Sequence, residues 1–110
     1  MLRSQRLQTV LSLEKRKEQE ALERMGEARD QAEAHREQVL NLEQYQQEYR
    51  NQIRASQQGV VSVARLQAWQ AFIGQLDQVI AQQEKQLQQA EQIFEARRQE
   101  WLQAWERRRG

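Results

Sequence analysis

Apolar residues return at alternating steps of four and three along this chain, from Leu7 to Ile53, without one break in the frame. Ten of the fourteen positions visited are apolar or aromatic, and only Glu14, Glu18, His35 and Gln46 are not. The same count from Leu66 to Ala104 finds ten apolar positions of twelve, with Gln83 and Arg97 the exceptions. A repeat averaging 3.5 residues winds a helix so that one stripe faces a partner helix. No strand pattern has this period. The 110 residues contain no Pro and four Gly, so little in them can break a helix or reverse the chain. Six Val and four Ile, scattered, are too few for a sheet. Hydrophobic residues are 38% of the chain, below a globular domain's usual ~45–50%.

Between the two repeats lies Arg54-Ala55-Ser56-Gln57-Gln58-Gly59-Val60-Val61-Ser62. Gly59 suits a helix C′ position with positive φ, and Ser62 suits an N-cap. The expected fold is all-α: two long helices, about 2–57 and 62–108, forming an antiparallel coiled-coil hairpin around a turn at 57–62. Pairing about Gly59 and Val60 sets residue 110 near residue 9, and helix 2 should be about 70 Å long at 1.5 Å per residue. Glu14 and Glu18 on the seam, followed by Ala21, Ala28 and Ala32, predict a weakly sealed open end. Phe94, Trp101 and Trp105 are expected to pack over those small residues. Arg97, Arg107 or Arg108 is expected to pair with the two glutamates.

Function classes fall away next. Seventeen basic against sixteen acidic residues give a net charge of +1, without the basic excess of a nucleic-acid binder. No apolar run reaches the ~20 residues of a membrane span, and the first residues carry no apolar secretory core. Absent Cys removes thiolate metal sites and Cys nucleophiles and permits a reducing cytoplasm. His35 is the sole His, on the seam beside Ala32 and Val39; a structural role outweighs pH sensing there. No nucleophile–base pair, phosphate loop or metal-ligand spacing is present, so neither an enzyme nor a cofactor site is expected. Two basic runs, Lys15-Arg16-Lys17 and Arg107-Arg108-Arg109, fall together at the open end of a hairpin. They read as solvated helix faces or as a docking point for an acidic partner.

Helix 2 carries more apolar surface than one partner helix covers. With Trp69 at zero and 100° per residue, Leu66 lies at about +60°, Ile73 at about +40° and Ile80 at about +20°. Leu76 lies at about −20°, Phe72 at about −60° and Val79 at about −80°. That arc exceeds the ~100° stripe of a seam, leaving Phe72 and Val79 in water as a protein-binding patch. Cover by Tyr45, Tyr49 or the turn is the competing reading.

Tyr45-Gln46-Gln47-Glu48-Tyr49-Arg50-Asn51 resembles a Tyr-rich signature of the flagellar export protein family FliJ. Gln70-Ala71-Phe72-Ile73, with Leu76 and Ile80, resembles a second segment of that family, and Leu102-Gln103-Ala104-Trp105 a third. The likeness is good over about residues 40–105; over residues 1–39 only the helical pattern agrees. It implies an antiparallel hairpin, shaped like the stalk of a rotary ATPase, in the cytoplasmic part of the type III export apparatus at the inner membrane face. The implied partners are the export ATPase FliI and its regulator FliH, the export gate protein FlhA, and substrate chaperones, with no nucleic acid and no membrane insertion. The family's gate-binding face maps onto Phe72, Leu76, Val79 and Gln83. Val79 stands where a smaller Ala is expected and Gln83 where a His is expected. By analogy with a rotary stalk, the basic open end with Lys15, Arg16, Lys17, Arg107 and Arg108 faces the ATPase. Members of that family are expected to run further, which leaves a tail beyond Gly110 open. Rival readings are the equivalent stalk of a virulence secretion system and a purely structural homodimer with straight helices.

Overall fold

The computed structural model describes residues 2–56 and 59–109. Helix α1 spans Arg3–Ser56 and α2 spans Val63–Arg109, and no strand occurs among the described residues. Both helices are rich in Gln, Glu, Arg, Leu and Ala, whose side chains lose little freedom in a helix, and no Pro interrupts either.

The end of the connection follows local chemistry. The backbone N–H of Arg65 donates to the Ser62 hydroxyl oxygen at 3.2 Å, so Ser62 is the N-cap of α2. The Ser62 carbonyl accepts from the N–H groups of Arg65 and Leu66, the opening bonds of that helix. Gly59 departs from expectation. It lies in the connection but has no positive φ, so it is not the left-handed C′ residue of α1. It stands three residues beyond Ser56, past the position where a left-handed cap would close the last turn. The part of the expected turn at Gln57 and Gln58 lies outside the described residues.

The chain divides into two compact units, Ala34–Gln88 and Met1–Glu33 with Gln89–Gly110. Within Ala34–Gln88, the C-terminal half of α1 packs antiparallel on the N-terminal half of α2. The Gln46 side-chain amide donates to the Asp77 carboxylate at 2.6 Å and to the Ile73 carbonyl at 3.4 Å. Tyr49 meets Phe72 one turn further on. The core here is Val39, Leu76 and Ile80, each worth about 1.5–3 kcal/mol when fully buried. Half-buried Leu42, Ile53, Leu66, Trp69 and Ile73 complete the stripe.

In the other unit the core is made of small residues: Ala21, Ala28, Ala32, Ala90 and Ala104 are all buried. Phe94, Trp101 and Trp105 are half-buried among them, the large-on-small packing the sequence predicts. Trp101 and Trp105 lie with ring centroids 6.5 Å apart. Glu18, one of the two seam carboxylates, pairs with Arg108. Glu14 instead meets Lys17 of its own helix at 4.0 Å.

That Glu18–Arg108 pair is one the sequence predicts, but it corrects the expected register. It sets the last described turn of α2 level with the region of Glu14 and Glu18, not with residue 9; Gly110 itself lies outside the described residues. The first turns of α1 therefore have no helix opposite them among the described residues. Leu7 and Leu11, in frame for the seam, are 59% and 58% exposed. The heptad frame continues there, but the partner helix does not.

Candidate functional site

Within Ala34–Gln88, the four positions expected to bind a partner follow one edge of α2. Phe72, Leu76, Val79 and Gln83 fall at about −60°, −20°, −80° and −40° on the same helical wheel. Their surroundings differ. Leu76 is buried and belongs to the seam. Val79 is 41% exposed and points off the seam as expected. Gln83 is half-buried, and its Oε1 has no hydrogen-bond partner among the described residues.

Phe72 is not left in water. Its ring sits 4.5 Å from that of Tyr49, tilted by 58°, and the residue is half-buried. Such tilted pairs add about 0.5–1.5 kcal/mol beyond the area they bury. The cause is the width of Tyr49: a small residue there would leave the Phe72 ring uncovered. Tyr45, one turn before Tyr49, stays 49% exposed. The surface is therefore a two-helix face, with Tyr45 and Tyr49 from α1 and Phe72 and Val79 from α2. The sequence offers both tyrosines as cover for Phe72; Tyr49 provides it, and Tyr45 instead adds exposed area to the face. Wheel arithmetic on α1 places them together, since Tyr45 lies about 40° from Tyr49, on the same edge.

The basic residues fall in the other unit. Lys15, Arg16, Lys17, Arg107 and Arg108 are all exposed. Lys17 and Arg108 have carboxylate partners in Glu14 and Glu18, while Lys15, Arg16 and Arg107 make no ion pair among the described residues. Arg109 lies over the Trp105 ring at 4.5 Å, a cation–π contact. Basic side chains outnumber the carboxylates that pair with them here.

One carboxylate is strongly perturbed, and it touches neither surface. Arg98 donates two hydrogen bonds to Glu95, and Gln99 donates a third, all at 3.0 Å. These hold the Glu95 carboxyl down to about 2 and push the Arg98 guanidinium up. No group of three or more His, Cys, Asp or Glu is placed to hold a metal ion among the described residues. No helix among them is long and apolar enough to cross a membrane.

What remains is a protein with two exposed surfaces of different chemistry, one aromatic-aliphatic and one cationic, on a two-helix scaffold. A family model described as "Flagellar FliJ protein" matches residues 3–110. The chain belongs to the FliJ family. Membership extends through residues 3–39, where the motif resemblance is weakest, and makes this a flagellar export-related protein. The FliJ family is one of non-catalytic export components. No curated protein and no solved structure matches the chain.

Proposed function

We propose that this FliJ-family chain is a non-enzymatic, stalk-like coiled coil that links the export ATPase ring to the export gate and escorts substrate chaperones. The observation that carries the reading is the exposed aromatic-aliphatic face of Ala34–Gln88. Tyr45 and Val79 stay solvent-exposed beside the Tyr49–Phe72 pair, so aromatic and aliphatic side chains of both helices meet water on one face. That face includes Phe72 and Val79, two of the four positions the family resemblance assigns to gate binding. Its partner in this reading is FlhA.

The cationic residues Lys15, Arg16, Lys17, Arg107 and Arg108 form the ATPase-facing surface, engaging FliI and its regulator FliH. The protein then works in the cytoplasm, peripheral to the membrane, held there by the export apparatus. Family membership favours the flagellar system over a virulence one. The antiparallel packing within each unit disfavours straight helices paired as a homodimer.

Phe72 is a poor probe of this face, because Phe72→Ala also removes a stacking partner of Tyr49. Tyr45→Ala with Val79→Lys is cleaner, since both side chains point into water. Binding to the purified cytoplasmic domain of FlhA should weaken by about tenfold or more. The melting temperature should stay near that of the parent, and Gln78→Ala, on the far side of α2, should bind normally. Unchanged FlhA binding by the double variant would remove this face from the interface.

A further inference from the structure

On the other edge of the same unit lies a groove of about 390 Å³. Ile53, Leu66, Trp69 and Ile73 form its apolar wall, and Arg50 and Arg54 stand on its α1 rim. On the wheel used above, Gly74 and Asp77 fall at about +140° and +80°, well away from Phe72 and Val79 at about −60° and −80°. The groove is therefore separate from the gate-binding face and does not rest on that reading.

Three features of the groove point to a ligand. The volume is in the range of small binding clefts, enough for one or two large side chains. Gly74 sits in a helix interior, where Gly is costly relative to Ala, yet a Cβ built on it meets nothing within 4 Å. No internal contact requires the missing side chain, and its absence leaves the groove open. The charge is unbalanced as well. The single carboxylate, Asp77, is met by Arg50 at 3.9 Å and by the Gln46 amide. Arg54, also on the rim, makes no ion pair among the described residues. The rim carries more cation than the chain itself uses.

We infer that this groove is a second docking site, for an acidic segment of a partner protein that inserts a large apolar side chain between Trp69 and Ile53 and sets a flanking carboxylate against Arg54. The apolar wall holds the anchor. The arginine rim attracts the acidic flank and repels a basic one. Because the two edges are separate, this site and the Phe72–Val79 face can be occupied together.

The test uses the isotope-labelled full chain and two synthetic probes: an acetylated, amidated Glu-Glu-Leu-Phe-Glu-Glu peptide and its Lys-for-Glu counterpart. The acidic peptide should shift the amides of Ile53 and Gly74 and the indole N–H of Trp69, leaving Val79 unmoved, and the Lys peptide should not. Arg54→Glu should weaken binding severalfold, less so in added salt, as expected of an exposed charge pair. Gly74→Leu fills the groove while improving helix propensity, so helicity should hold while binding drops at least about tenfold. Equal binding of both peptides, shifts centred on Tyr45 and Val79, no shifts from the acidic peptide, or unaltered binding by a folded Gly74→Leu would each overturn the assignment.

Discussion

Individual side chains explain why parts of this molecule depart from a plain two-helix pattern. Gly59 looks in the sequence like a cap that needs positive φ, but its backbone has none, and a Cβ there has open space around it. Gly59→Ala should therefore be tolerated and should stabilise by up to about 0.4–1 kcal/mol, by restricting the unfolded chain. Thermal melting checks this, and a clear loss of stability would mean that the turn needs glycine after all. Glu95 provides the pH prediction. Its carboxyl is held at about 2 against an ordinary 4.5, so the folded state favours the ionised form. The contribution of its contacts with Arg98 and Gln99 is present above pH ~4.5 and is lost as pH falls through about 2. Both partners are exposed, so the effect on stability is small and fades in salt. Side-chain carboxyl NMR should find Glu95 titrating well below the other exposed glutamates, and an ordinary midpoint would show that water competes the arginine away.

The helices themselves were largely legible, and the reason is periodicity. All twelve in-frame positions of α2, and those of α1 from Glu14 to Ile53, are buried or half-buried, because a 3.5-residue repeat has one way to face a partner. Ser62 was legible as a cap from its hydroxyl and place alone. Where α1 loses its partner was not. Counting heptads finds the stripe, but the offset between two helices depends on the geometry of the connection, which the repeat does not encode. Leu7 and Leu11 keep the frame with nothing opposite them. Amide exchange should accordingly be fast across residues 3–13 and slow across residues 38–52 and 66–90. Protection of residues 3–13 equal to that of the seam would mean that the exposed leucines find a partner in solution.

At the scale of the whole molecule, the two compact units differ in chemistry. Ala34–Gln88 carries the aromatic-aliphatic face, legible on α2 from its wide apolar arc, and the groove lined by Trp69, Ile73 and Gly74. The α1 half of that face was legible in part: the sequence offers Tyr45 and Tyr49 as cover for Phe72, and Tyr49 takes that place while Tyr45 stays exposed. The other unit carries the basic residues, legible as two basic runs that a hairpin brings to one end, where Arg108 pairs with Glu18 across the helices. Two surfaces of unlike chemistry on one chain suit a protein that holds two partners at once, which is the centre of the proposed function. The most direct measurement is sedimentation of FliI with the cytoplasmic domain of FlhA, with and without this chain. FlhA should travel with FliI only when the chain is present, and Tyr45→Ala with Val79→Lys should release FlhA while FliI stays bound. Competition between FliI and FlhA for the chain, or no bridging by the parent protein, would contradict the account.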